Sequence, residues 1–305
     1  MSDQQNGTEM MDPLVARQEL ERIGDQRSVN RRKFLTGVGM AGVAAAGAGV
    51  LAACSDSRVV PPSPVAAAGP SEQDVLNFAL NLEYLEASFY AYATTGAGIP
   101  AANLPGNPTI MGGAMVPFSD PAVKAIAIEI AADELHHVQF LQAALGSSAI
   151  NCPNLNLNAL GIGFGSDAEF LTLSRAFEDT GVSAYGGAAT LLSGADLQYA
   201  AQILAVEAYH ASSSRVQLIQ KGITVPALDA QDVPPTASTY FTVYGGAVAA
   251  ATTSAGFSII RTPAQVLGIV FGVSTASTTT PPTGITSGGF FPNGVNGTNS
   301  ALLST

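Results

Sequence analysis

Residues 132–146 read ADELHHVQFLQAALG, and residues 206–215 read VEAYHASSSR. Each stretch contains Glu-x-x-His, at Glu134 and His137 and again at Glu207 and His210. Residues three apart on a helix share a face, so each pair can offer a carboxylate and an imidazole to one ion. The apolar stripe around the first pair runs Val123, Ile126, Ile130, Glu134, His137, Leu141, and around the second Ala200, Ile203, Glu207, His210. Steps of three and four mark amphipathic helices whose inward face the polar pair interrupts. Burying such groups without partners would cost on the order of several kcal/mol per charge, a cost that metal coordination removes.

Two further helical stretches flank these. One carries Leu76, Ala79, Glu83, Glu86 and Tyr90 on its stripe, the other Leu171, Ser174, Glu178 and Tyr185. Tyr90 follows Glu83 by the same spacing that separates Tyr185 from Glu178, so the chain reads as a duplicated helical hairpin: Glu…Tyr, then Glu-x-x-His, twice. The repeat favours Glu83 over Glu86 as a ligand. Glu86 reads as a seventh acid near the site, a proton relay or an inner salt-bridge partner. His136 lies one step off the stripe and reads as a surface or outer-layer residue.

Working outward, the helices are expected over about 73–95, from Pro121 to about Leu145, from Ser166 or Asp167 to about 192, and from Ser193-Gly194-Ala195-Asp196 to near Lys221. Ser119-Asp120-Pro121 is a helix start, with a capping side chain and Pro in the first turn. Gly181, Gly186 and Gly187 read as weak points of the third helix. Glu83 and Glu134 stand further apart than Glu178 and Glu207, so the first hairpin carries the inserted loop. The fold class is therefore all-α, a four-helix bundle over 73–222. Residues 223–305 form a Gly-, Ser-, Thr- and Pro-rich extension with Asp229, Asp232 and Arg261 as its only charges. One short helix is expected there, from Thr262-Pro263 through Val273, the remainder wrapping over the bundle.

Ahead of the bundle, Arg31 and Arg32 precede a Gly- and Ala-rich apolar run that ends Leu51-Ala52-Ala53-Cys54. Residues 1–53 resemble a twin-arginine export signal and Cys54 the lipidated cysteine of a bacterial lipobox, with 54–72 as a Pro- and Ala-rich tether. The expectation is an exported, periplasmic or cell-envelope lipoprotein that meets the membrane only through the lipid on Cys54. The twin-arginine route carries folded proteins, which lets a metal site be filled before export. Cys54 aside, Cys152 stands alone, so no disulfide framework is present.

The net charge is −11, and from Cys54 onward 6 Lys and Arg face 17 Asp and Glu. Nothing basic remains to neutralise phosphates, which excludes nucleic acid as a partner. Charged residues make up only 11% of the chain, so carboxylates on inward stripes call for a cationic counter-charge.

One Glu from each of two helices, plus Glu-x-x-His from each of the other two, resembles the di-metal carboxylate pattern of ferritin-like proteins. LNFALNLEYLEASFY (76–90), ADELHHVQFLQAALG and VEAYHASSSR resemble the ferritin-like domain shared with plant desiccation-related proteins. RTPAQVLGIVFG (261–272) and GGFFPNGVNG (288–297) resemble that group's C-terminal part. The resemblance implies Glu83, Glu134, His137, Glu178, Glu207 and His210 as ligands, with Glu134 and Glu207 as bridges. It implies Tyr90 and Tyr185 as hydrogen-bonding groups that orient carboxylates, although both read equally well as ordinary core tyrosines. The expected cofactors are two divalent ions, iron or manganese. The expected chemistry is redox work on dioxygen or peroxide, as a ferroxidase or a peroxide scavenger. The rival reading is a non-catalytic envelope or desiccation-stress protein that keeps the metals as structural elements.

Overall fold

The computed structural model describes residues 69–236, 258–280 and 283–297. The expected export signal, Arg31, Arg32, Cys54 and the tether up to residue 68 lie outside them. Among the described residues no helix is long and apolar enough to cross a membrane.

Four long helices carry the fold: α1 (Glu72–Thr95), α2 (Pro121–Leu145), α3 (Asp167–Ala188) and α4 (Gly194–Gln220). Their ends follow from local chemistry. Ser71 and Asp74 form a reciprocal capping box at the start of α1, and Gly96 closes its end in the left-handed region at φ 74°. Asp120 caps α2 ahead of Pro121, and the Ser166 side chain accepts from the Glu169 amide at the start of α3. The expected turn at residues 193–196 is shorter than its sequence suggests, since Gly194 already begins α4. The short helix α5 (Pro263–Val270) starts at the expected Thr262, which forms a capping box with Gln265, and stops before Val273.

The helices pair chiefly as two hairpins, α1 on α2 and α3 on α4. Their connections are not wholly irregular: β1 (Ile110–Met111) and β2 (Leu155–Asn156) form a short parallel pair that ties the two long links together. The core is continuous, from Leu80, Leu85 and Phe89 on α1 through Ile130 and Leu141 on α2 to Phe170 and Leu171 on α3. It extends into Val266, Phe271, Phe290 and Phe291 beyond the bundle.

The extension packs on the bundle through specific contacts. Asn81 exchanges hydrogen bonds with the backbone of Asn296, and the Phe290 ring meets Phe177 edge-on with centroids 5.0 Å apart. Its three charges are anchors. Asp232 pairs with Arg175 at 2.6 Å, and Arg261 pairs with Asp229 at 2.8 Å while donating to the Ser183 hydroxyl. Arg175 and Arg215 also share Asp179, at 2.6 and 2.8 Å. All six side chains are at least nine-tenths buried.

The glycines of α3 are not the weak points the sequence suggested, because the helix runs unbroken through them. A Cβ on Gly187 would lie 2.1 Å from the Arg261 carbonyl oxygen, and one on Gly181 would lie 2.3 Å from Glu207 Oε2. Both positions let another element approach the helix closely, which offsets the helical propensity given up.

Candidate metal centre

Glu83 on α1, Glu134 on α2, Glu178 on α3 and Glu207 on α4 project into the middle of the bundle, each with 0% exposure. His137 and His210 join them, buried at 7% and 5% exposure. The six residues expected as ligands therefore meet in one place. His137 Nδ1 lies 3.2 Å from Glu83 Oε2, 3.2 Å from Glu134 Oε2 and 3.4 Å from Glu207 Oε1. His210 Nδ1 lies 3.0 Å from Glu134 Oε1 and 3.2 Å from Glu178 Oε2.

Two quartets of ligand atoms result, Glu83, Glu134, His137 and Glu207 on one side and Glu134, Glu178, Glu207 and His210 on the other. Within each, the atoms lie within 4.8 Å of one another, a span suited to a single ion. Glu134 and Glu207 belong to both quartets, which is the position of a bridging carboxylate.

The lone pairs do not resolve into hydrogen bonds. Glu134 Oε1, Glu178 Oε2, both carboxylate oxygens of Glu207 and His210 Nδ1 are buried and have no hydrogen-bond partner. Buried polar atoms are ordinarily paired, so five that converge without partners fit a cation between them. The donor set, oxygens with two imidazole nitrogens, suits divalent metal ions.

Electrostatics describes the same deficit of positive charge. Burial, compounded by the charges of Glu207, Glu134, Glu178 and Glu83, holds the Glu86 carboxyl well above the usual carboxylate range. Burial and the neighbouring Glu134 do the same to Glu207. Glu134 is pushed up to about 7 by burial and by Glu83. Burial acts in the same sense on Glu83, but His137 wins and holds that carboxyl below its ordinary value. Both imidazoles are raised, because the carboxylates around them outweigh burial, His210 to about 12.

Around the ligands, each tyrosine serves the opposite hairpin. The Tyr90 hydroxyl on α1 donates to Glu178 Oε1 on α3, and the Tyr185 hydroxyl on α3 donates to Glu83 Oε1 on α1. Burial and the adjacent glutamates raise both phenols well above their ordinary value, so they remain donors. Both tyrosines thus pack in the core and hydrogen-bond a carboxylate of the cluster. The Tyr90 hydroxyl also lies 2.8 Å from Ser174 Oγ, which in turn lies 2.7 Å from Ser214 Oγ.

Glu86 is 4% exposed and sits among the other acids, and no Lys or Arg pairs with it among the described residues, so it is not a salt-bridge partner. His136 is exposed, as its place off the stripe implies. Sequence reasoning missed Asp133, whose Oδ2 lies 3.0 Å from His210 Nε2. It stands directly before Glu134 on the rim of the apolar face, where nothing in the pattern distinguishes it from a solvated acid.

Four helices in two hairpins around this cluster define the class. Residues 71–220 match the family model of the ferritin-like domain, and the chain is a ferritin-like domain protein. No curated protein matches it.

Proposed function

We propose that the cluster holds two divalent transition-metal ions, iron or manganese, and that the protein uses them for redox chemistry on dioxygen or peroxide at the cell envelope. The observation that carries the reading is the pair of quartets sharing Glu134 and Glu207, in which Glu134 Oε1, Glu178 Oε2 and both Glu207 oxygens are buried without a hydrogen bond. Two ions bound there would supply reversible one-electron steps, and so the electron pair that reduction of peroxide requires.

The protein's own groups define the rest. Glu134 turns Oε2 toward His137 and Oε1 toward His210, and Glu207 belongs to both quartets, so these two acids would serve both positions. Tyr90 and Tyr185 hold Glu178 and Glu83 from the far side and limit their rotation. Burial of every ligand excludes bulk water, which strengthens each electrostatic contact. Glu86, buried and under the charge of the four ligand carboxylates, would keep its proton beside the site without occupying a ligand position.

Export fits this role. A twin-arginine signal with a lipobox at Cys54 would deliver the folded, metal-loaded domain to the envelope, where oxidants arrive first. Resemblance to desiccation-related proteins supports a place in stress protection.

The test is elemental analysis of the purified chain, followed by Fe(II) oxidation and peroxide consumption assays. Two Fe or Mn per chain, with turnover lost in Glu134→Ala and His210→Ala, is the expected result. Two metals with no turnover would replace the enzyme by a structural, non-catalytic role. A chain that neither carries nor takes up transition metal would overturn the reading.

A further inference from the structure

The two quartets look alike in composition, yet the histidines that complete them are held differently. His210 Nε2 faces Asp133 Oδ2 at 3.0 Å, while its Nδ1 points into the cluster, 3.0 Å from Glu134 Oε1 and 3.2 Å from Glu178 Oε2. A carboxylate on one ring nitrogen fixes a proton there, which leaves the other nitrogen to the metal. His137 turns its Nδ1 to the cluster in the same way, 3.2 Å from Glu83 and from Glu134, but lacks the outer contact. Among the described residues no carboxylate meets its other nitrogen.

The duplicated hairpins explain the difference. Asp133 directly precedes Glu134, and the equivalent residue before Glu207 is Val206. Val206 has no group that can accept from an imidazole N–H. One repeat therefore orients the other's histidine, and the service is not returned. A metal entering the His210 quartet replaces the Nδ1 proton while Asp133 keeps the other proton on Nε2 and holds the ring in place. At the His137 quartet no outer carboxylate among the described residues does the same.

We propose that the two metal positions are inequivalent, that the His210 quartet binds first and more tightly, and that Asp133 is the positioning residue that sets this order. The inference rests on the di-metal reading above. Outer carboxylates on ligating histidines are worth about 10–100-fold in metal affinity, so the two steps should separate by about that factor.

The test is a titration of the metal-free full chain with Mn(II), following free Mn(II) by electron paramagnetic resonance. Two resolved steps of one equivalent each are expected. His210→Ala should remove the tight step and His137→Ala the weak one. Asp133→Ala should weaken the tight step until the two merge, while Asp133→Asn, which keeps an oxygen acceptor, should restore part of the separation. Circular dichroism of each variant checks that the helices are intact, which a half-exposed residue such as Asp133 should leave untouched. Uptake of two equivalents in one unresolved step, or a titration unchanged in Asp133→Ala, would overturn the inference while leaving the di-metal reading standing. Failure to take up any Mn(II) would overturn both.

Discussion

The bundle buries charge in two places, and they are solved in different ways. Where the extension meets α3 and α4, each acid has an arginine: Asp179 and Asp232 with Arg175, Asp179 also with Arg215, and Asp229 with Arg261. In the middle of the bundle Glu83, Glu134, Glu178 and Glu207, with Glu86 beside them, converge on two imidazoles, and no arginine or lysine joins them among the described residues. The first set is electrically complete and acts as a fastener. The second is short of positive charge, and its unpartnered oxygens point at common centres. Adjacent residues divide the two tasks, since Glu178 faces the centre and Asp179 the fastener.

Breaking the fastener should have the largest effect on stability. Asp229→Ala leaves Arg261 buried without its carboxylate, which should destabilise the fold by about 3–5 kcal/mol in denaturant unfolding. Metal content, measured in native buffer, should stay at the parent value. A simultaneous loss of metal would mean that the two regions are one unit rather than two.

Removing a shared acid should do the reverse. Glu207→Gln should lower bound metal from two ions to one or none, while the chelated variant unfolds at higher denaturant, by about 1–2 kcal/mol, because one like charge is gone. A chelated variant less stable than the parent would show that Glu207 has a fold-stabilising partner.

Gly181 sharpens the comparison from the backbone side. Its missing Cβ leaves room for Glu207 Oε2, so Gly181→Ala should displace that oxygen and weaken metal binding about tenfold. Equilibrium dialysis would read the change, and an unaltered affinity would mean that the carboxylate rotates away at no cost.

The smallest effect concerns pH. Glu134, Glu86 and Glu207 have folded pKa values above the ordinary 4.5, so they destabilise the metal-free fold increasingly as pH rises from 4.5 toward those values. The raised imidazoles act in the same direction above 6.5, while Glu83, held low, loses its contribution only on acidification. The melting temperature in chelator should therefore fall between pH 5 and 8. With metal bound it should not, because the cation replaces the protons. A melting temperature that rises with pH in chelator would contradict the assigned deficit of positive charge.

Much of the centre was legible from spacing alone. Glu-x-x-His twice on interrupted stripes, and a tyrosine seven residues after one glutamate on each remaining helix, select Glu83 over Glu86, and only Glu83 belongs to a quartet. Which carboxylate each tyrosine meets was not legible. Two helical turns, about 10.5 Å, separate Glu83 from Tyr90 along the axis, too far for a bond within one helix. The pairing is instead across helices, Tyr90 to Glu178 and Tyr185 to Glu83. The glycines of α3 were misread for a related reason. Propensity counts the cost of Gly in an isolated helix and cannot register the neighbour that its missing side chain admits. Asp229, Asp232 and Arg261 stood out as the only charges of the extension, but sparse charge does not say which groups will pair.

The sequence by itself determined the four helices and the residues on their inward faces, the caps of the second and third, and the six candidate ligands. Those depend on periodicity and on contacts between near neighbours in the chain. Tertiary structure alone decided which carboxylates are shared, which tyrosine holds which acid, that Asp133 backs His210 while Val206 leaves His137 without an equivalent, and where the extension is fastened. Those are contacts between residues dozens of positions apart, fixed only when the hairpins pack and each buried polar group takes the partner within reach.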